Sequence, residues 1–192
     1  MYKKLSIAIM IMMLVMATRA FALESTKATN INILVSNVFS MEFYTDNNVI
    51  YRDTVPFTNI DPNKSLVYPD GRSENDGKSD TAIVCRSNAG AAWFFKIHVV
   101  ANPPLTADKI KYYVSQPYDR NTGGQSDGSL TQSAQWYPMS DKPTTIFTSG
   151  AHDQSNLPFG TLIAFNFAIN PSGLNTGAAY SASVIYSMTT SP

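Results

Sequence analysis

Residues 124–128, Gly-Gln-Ser-Asp-Gly, match the G-x-S-x-G pattern in which a serine is the nucleophile of a hydrolase. Asp141 and His152 follow Ser126 in the chain order that α/β-hydrolases use. In those enzymes a buried strand precedes the motif and a helix follows it, and together they hold the serine in a strained turn. Here turn-forming residues precede the motif and Ser-Leu-Thr-Gln follows it. The sequence therefore favours a polar loop over a catalytic serine.

Two further groups of residues have side chains that metal ions accept. His98 and His152 are the two histidines, but they lie far apart in sequence and lack the spacing of a zinc site. His98 is expected to face solvent or lie at a sheet edge. The loop of residues 70–80 is rich in oxygen ligands, as calcium sites are, yet Arg72 stands where the calcium-loop pattern begins with aspartate. We expect a solvated acidic loop and no metal or other cofactor.

Aromatic side chains supply the best candidate for a ligand-binding site. Trp136 and Tyr137 precede a proline at a turn, and Tyr118 lies in a neighbouring loop region. Exposed rings can stack on sugars, so Trp136, Tyr137 and Tyr118 are the candidate residues of a carbohydrate-binding site. Trp93 falls on the apolar phase of an alternating segment, which predicts a core position. Cys85 is interpreted as a small buried side chain, with a reactive or intermolecular thiol as the alternative.

The composition excludes several classes of protein. Charged residues make up 15% of the 192 residues and hydrophobic residues make up 44%, which is too apolar for a disordered chain. With 14 basic and 14 acidic residues, the chain has no basic excess with which to bind nucleic acid. One cysteine excludes an intrachain disulfide framework and a cysteine-cluster zinc site. The length fits one domain or at most a small pair.

Residues 1–22 have the three parts of a secretory signal peptide. Two lysines give a positive start, residues 7–17 form an apolar run, and small residues stand at the −3 and −1 positions before Leu23. The run is about eleven residues, whereas a membrane-spanning helix needs roughly 20. We expect cleavage before Leu23 and a mature domain of residues 23–192 with no membrane span. The expected location is secreted, either extracellular or in the cell envelope.

After the predicted signal peptide the dominant sequence period is two, as in strands that bury one face. The segments that read as strands are residues 31–43, 49–57 more weakly, 81–87, 92–100, 109–115, 144–148, 162–169 and 180–189. The polar stretches 70–80 and 121–133 are predicted to be surface loops. No segment shows a helical stripe of ten or more residues. The pattern predicts an all-β fold, an antiparallel sandwich or barrel of about eight to ten strands.

Two stretches resemble parts of exported bacterial Ig-like surface domains. Residues 81–99 (TAIVCRSNAGAAWFFKIHV) are similar to a unit made of a strand, an Asn-x-Gly turn and an aromatic strand. Residues 162–190, which end in GAAYSASVIYSMT and one further threonine, resemble the closing strand. The group includes fimbrial and spore-coat-U-like subunits and WxL-type wall-binding proteins, and the resemblance implies a single Ig-like β-sandwich. The chain departs from the group because Cys85 has no partner cysteine and Trp93 does not begin a W-x-L motif.

These observations together predict a non-catalytic, exported structural or adhesive subunit. The last strand has a polar face of serines and threonine, and if it lies at a sheet edge it can pair with another chain by strand addition. Residues 31–35 are apolar at alternate positions and could serve as a donor strand. The expected partners are other protein subunits, of its own kind or of the envelope. The alternative is a carbohydrate-binding module for surface glycans, and the second alternative is a secreted serine hydrolase.

Overall fold

The computed structural model describes residues 39–58, 60–132, 135–175 and 178–192, whose regular secondary structure is almost entirely β-strand. The strands are β1 (Phe39–Phe43), β2 (Thr81–Ser87), β3 (Phe94–Ala101), β4 (Ile110–Val114), β5 (Tyr118–Asp119), β6 (Gly124–Gln125), β7 (Ser129–Leu130), β8 (Tyr137–Pro138), β9 (Thr144–Thr148), β10 (Thr161–Ile169) and β11 (Ala182–Thr189). Two 3-10 turns, Ala107–Lys109 and Asp153–Ser155, are the helical elements of the described residues. The predicted all-β class is confirmed.

The strands form two antiparallel sheets that pack as a sandwich. The first sheet has the order β1-β2-β10-β4-β8, and β5 pairs with both β10 and β6. The second sheet has the order β11-β3-β9-β7. Among the described strands, β1 lies at an edge of the first sheet and β11 at an edge of the second. The predicted antiparallel sandwich is confirmed.

The core lies between the sheets and is formed by alternate side chains. On β3, Phe95, Ile97 and Val99 are buried, and the residues between them are half-buried. The Phe95 ring packs against that of Phe165 on β10, with ring centroids 5.9 Å apart. Trp93, just before β3, is fully buried as predicted. Because successive side chains on a strand point to opposite faces, the period-two sequence supplies one apolar face to each sheet.

The prediction of a strand at residues 49–57 is wrong. Residues 49–57 do not form a strand, and Val49 makes only an isolated bridge with Ser79. The segment pairs briefly, since the amide of Tyr51 donates to the carbonyl of Asp80 at 2.8 Å. It then leaves the sheet before Pro56, which has no N–H to donate to a ladder. Val55 and Phe57, near its end, are half-buried and pack against the core from irregular chain.

The predicted signal peptide, residues 1–22, lies outside the described residues. So does the first part of the strand predicted at residues 31–43, of which β1 is the described end. In the described part of the chain, no helix is long and apolar enough to cross a membrane. Cleavage of a leader and the mature domain of residues 23–192 stay predictions.

Candidate functional site

Ser126 is buried within the stretch predicted to be a surface loop, residues 121–133, whereas its neighbours Gln125 and Asp127 and most of the rest of the described stretch are exposed. Ser126 is 7% exposed, and its hydroxyl donates a 2.7 Å hydrogen bond to the carboxylate of Asp153. The same oxygen accepts a 2.9 Å hydrogen bond from the backbone N–H of Gly128. The side chain of His152 is 72% exposed and approaches Asp127 instead, at 3.8 Å. The serine is held by a carboxylate and an amide, and no imidazole is placed to accept its proton.

Asp153 is the centre of a buried polar network. Its carboxylate also accepts hydrogen bonds from the backbone N–H of Gly150, at 3.0 Å, and from the hydroxyl of Thr161. Its backbone carbonyl accepts a 2.9 Å hydrogen bond from the indole N–H of Trp93. Thr161 begins β10 in the first sheet and Trp93 precedes β3 in the second. The network therefore ties the two sheets together at this end of the strands, which we call the closed end.

Asn156 extends the closed end to β2. Its side-chain oxygen accepts a 2.7 Å hydrogen bond from the amide of Ser87, and its side-chain nitrogen donates to the carbonyl of Cys85 at 3.1 Å. Asn156 is 1% exposed and Asp153 is fully buried. Cys85 is a free, buried cysteine, and burial raises the pKa of its thiol. This supports the interpretation of Cys85 as a small buried side chain, because the reactive form of cysteine is the thiolate.

The acidic loop of residues 70–80 is organised by an arginine. The guanidinium of Arg72 bonds Asp76 at 2.5 and 2.8 Å and Asp80 at 2.6 Å. The Arg72 side chain is only 5% exposed, and Asp80 is 1% exposed. The hydrogen bond from Arg72 lowers the pKa of Asp76 to about 2. The expectation of a solvated acidic loop is therefore wrong for Asp80, which is buried and paired with Arg72, whereas residues 73–78 are exposed as expected.

The histidines and acidic side chains do not converge on a metal site. Nowhere in the described residues do three or more histidine, cysteine, aspartate or glutamate side chains stand where they could hold a metal ion. His98 is half-buried on the outer face of β3, which is an internal strand, so it does not lie at a sheet edge as one expectation had it. Its Nδ1 atom is buried and has no hydrogen-bond partner among the described residues.

Trp136 lies in a groove of about 590 Å³ on the outer face of the first sheet. Its ring contacts Tyr68, with centroids 5.7 Å apart, and Tyr113, with centroids 5.9 Å apart. These three half-buried rings form one continuous surface, which we call the aromatic wall. Asn166 on β10 and the loop of residues 70–80 bound the groove on its polar side. Burial raises the pKa of Tyr68 to about 12, and its hydrogen bond with Glu74 adds to the shift.

The structure separates the three aromatic residues that the sequence proposed for a ligand site. Trp136 is part of the groove. Tyr137, the next residue, faces the opposite way and packs against the core beside Tyr112, with ring centroids 6.1 Å apart. Tyr118 is 43% exposed on β5 and does not line the groove. The neighbours that Trp136 does have, Tyr68 and Tyr113, were missed.

A signal for one of those neighbours is present in the sequence. Tyr113 stands between Tyr112 and Val114, which are buried on β4, so the period of two puts Tyr113 on the outer face. Trp136 stands next to Tyr137 on the chain, and β8 pairs with β4, so the same reasoning puts Trp136 on that outer face too. Tyr68 gives no such signal, because it lies in irregular chain. Long-range contacts bring it to the groove.

The opposite end of the sandwich is open between the sheets. A cleft of about 1200 Å³ is lined by Phe43 on β1, Phe167 on β10 and both Val184 and Tyr186 on β11. Phe43 is 40% exposed and meets the edge of the Tyr186 ring, with centroids 6.2 Å apart. We call this region the open cleft. It runs beside the edge strands β1 and β11, whose outer edges have no partner strand in the described residues.

The chain was compared with protein-family models, with curated proteins and with solved structures. None of the three comparisons finds a match. The function is therefore argued from the geometry of its own residues, of which the open cleft and the aromatic groove are the two accessible concave regions described above.

Proposed function

We propose that this protein is a non-catalytic, exported structural or adhesive subunit that associates with further copies of itself by strand addition at β11. The observation that carries the proposal is the eight-residue edge strand beside the open cleft. An unpaired edge offers backbone N–H and C=O groups to an added strand, and a neighbouring apolar cleft can accept its alternate side chains. The expected signal peptide supports a location outside the cytoplasm.

The side chains along the edge are of the kind that strand addition uses. Ile185 on the outer face of β11 is 39% exposed, and Val184 and Tyr186 face the cleft. Natural proteins commonly protect such edges with lysine or proline. β11 carries neither within residues 182–189. An unprotected edge is what a subunit that pairs with its neighbours needs.

The engaged state of Ser126 supports the non-catalytic part of the proposal. A serine nucleophile needs a base that takes its proton as the hydroxyl attacks the substrate, a role that an imidazole usually fills. The Ser126 hydroxyl instead donates a hydrogen bond to the buried carboxylate of Asp153. The Asp153 carboxylate also accepts hydrogen bonds from the backbone N–H of Gly150 and the hydroxyl of Thr161, which belong to the closed end. The geometry fits a structural serine.

The test is sedimentation velocity of the exported protein at rising concentration, with no other protein present. We expect regular oligomers to grow with concentration. Ile185→Lys places a charge on the outer face of the edge strand and is expected to weaken association by about tenfold or more. Val100→Lys is the matched control, because Val100 is 52% exposed on β3, the strand next to β11 but not at the edge.

The control is expected to associate as the unmodified protein does. A protein that stays monomeric at every concentration contradicts the proposal. An equal effect of the two lysines also contradicts it, since association would then depend on the charge of the whole face and not on the edge.

A further inference from the structure

We propose that the groove at Trp136 is a binding site for neutral oligosaccharides of pyranose sugars. This site is separate from the β11 edge and does not depend on the proposed mode of assembly. Its volume of about 590 Å³ falls within the range of roughly 300 to 1,000 Å³ that small-molecule sites occupy. The residues that carry the inference are Tyr68, Tyr113, Trp136, Glu74 and Asn166.

The aromatic wall provides the apolar half of such a site. Trp136 contacts both Tyr68 and Tyr113, and its ring plane is tilted by 55° from that of Tyr68 and by 51° from that of Tyr113. Contiguous aromatic surface of this kind suits pyranose rings, which can cover it with their C–H faces. Tyrosine and tryptophan also keep a polar tip available while their rings are covered.

The side of the groove opposite the aromatic wall provides both hydrogen-bond donors and hydrogen-bond acceptors. Glu74 and Asn75 lie on its exposed rim. A carboxylate accepts hydrogen bonds, and an amide both accepts and donates them. Sugar hydroxyl groups do both as well. A few polar groups facing an apolar wall fix the orientation of a ligand and give specificity.

The charges around the groove favour a neutral ligand over an anion. Its lining contains three carboxylates and two cations, Glu74, Asp76, Asp80, Arg72 and Lys78. The guanidinium of Arg72 is already committed to Asp76 and Asp80, so it is not available to bind a phosphate, sulfate or uronate group. The electrostatic potential of the groove is therefore weakly negative, which disfavours polyanions such as nucleic acid or sulfated glycans.

The groove is also preorganised. Arg72 connects Asp76 in the rim loop to Asp80 beneath it, and also donates to the backbone carbonyl of Lys78 at 2.8 Å. The side-chain oxygen of Asn166 accepts a 3.1 Å hydrogen bond from the amide of Asp80, which fixes the loop to β10. A loop that is ordered before binding loses little conformational entropy when a ligand arrives.

The experiment uses the protein as recovered after export and the fluorescence of its two tryptophans. Trp93 is fully buried, so a change on adding sugar reports on Trp136. The probes are soluble hexasaccharides of β-glucose, mannose and N-acetylglucosamine, with a heparin hexasaccharide as the anionic comparison. We expect saturable binding of at least one neutral probe, with no binding of heparin.

Trp136→Ala is expected to weaken binding by about tenfold or more, since a lost stacking contact is worth on the order of a tenfold change. Binding by this variant is measured by calorimetry. Tyr118→Ala is the matched control, because it removes an exposed ring that does not line the groove. Glu74→Gln is a second variant on the exposed rim, expected to fold normally and to bind the same probe several-fold more weakly.

Three results would overturn the inference. The first is that no neutral probe binds at millimolar concentration. The second is that heparin binds more tightly than every neutral probe. The third is that Tyr118→Ala weakens binding as much as Glu74→Gln or Trp136→Ala. Near-ultraviolet circular dichroism checks the fold of each variant, and if Trp136→Ala unfolds, Glu74→Gln decides the question.

Discussion

The two ends of this sandwich join the same two sheets by different means. At the closed end, Asp153 and Asn156 are buried and hydrogen-bonded to strands or strand ends of both sheets. At the open cleft, the sheets meet through apolar side chains such as Phe43 and Tyr186, and a volume of about 1200 Å³ is left between them. One end is fixed by directional bonds, whereas the other is apolar and incompletely filled.

The difference indicates where the proposed partner strand would bind. Buried polar groups that are fully paired have one acceptable arrangement, so the closed end resists change. Apolar surface that is only partly covered gains free energy when more of it is buried. In the proposed strand addition, the closed end would hold the two sheets in place. The open cleft would accept the side chains of the added strand.

The largest expected effect comes from a comparison of two phenylalanines that both pack against the Tyr186 ring. Phe165 and Phe43 both contact Tyr186, with ring centroids 5.5 and 6.2 Å from it. Phe165 is fully buried, whereas Phe43 is 40% exposed at the open cleft. We expect Phe165→Ala to lower the free energy of unfolding by about 3 to 5 kcal/mol, and Phe43→Ala by about 1 kcal/mol.

Urea denaturation of each variant at low protein concentration measures the two effects without contributions from association. The matched pair tests whether the cleft is open in solution. Equal losses for Phe43→Ala and Phe165→Ala would mean that Phe43 is covered in the isolated protein, and the comparison between the two ends would fail.

The closed end gives the next largest effect. Asp153→Ala removes the acceptor of Ser126, Thr161 and the backbone N–H of Gly150. Buried donors that lose their acceptor each cost on the order of 1 kcal/mol or more, so we expect a loss of about 2 to 4 kcal/mol. Thermal unfolding measures it. Asp141→Ala, at an exposed position, is the control and should change stability by less than about 0.5 kcal/mol.

Asp153→Asn sharpens the same prediction. It keeps one acceptor oxygen and nearly the same volume, so it should retain part of the stability that the alanine variant loses. If the alanine and control variants are equally stable, the buried network does not hold the sheets together, and the closed end owes its stability to Trp93 and the surrounding core.

The sequence predicted those parts of the fold in which each strand buries one face. The buried positions of β3 follow the period of two, as do those of β10 up to Phe167, after which Ala168 and Ile169 are both buried. Residues 49–57 alternate as well, but they form no strand, and Val55 and Phe57 pack against the core from irregular chain, so the same pattern was misleading there. Alternation reports which side chains are buried and does not report whether the backbone has a partner strand.

The candidate groove was predictable only through Trp136. Its neighbour on the chain, Tyr137, had to face the other way because both lie in extended chain at β8. Tyr68 reaches the groove from irregular chain positioned by long-range contacts, and the hydrogen bond between Asp80 and Asn166 spans 86 positions. Such contacts depend on the tertiary fold, and no local spacing in the sequence encodes them.

The smallest expected effect concerns the loop beside the groove and its response to acid. The Arg72 hydrogen bond lowers the pKa of Asp76 to about 2, below the ordinary value of 3.8 that applies in the unfolded chain. The unfolded state therefore takes up protons first, and the contribution of Asp76 to stability is present above pH 3.8 and is lost as the pH falls toward 2.

Asp76→Asn should remove that dependence, with an effect on the order of 1 kcal/mol or less because solvent screens this partly exposed pair. Unfolding free energies at pH 4 and pH 2 measure it, and the decrease should be smaller in the variant. An equal decrease in both proteins would mean that Arg72 does not hold Asp76 in solution, and the preorganised rim of the groove would lose its support.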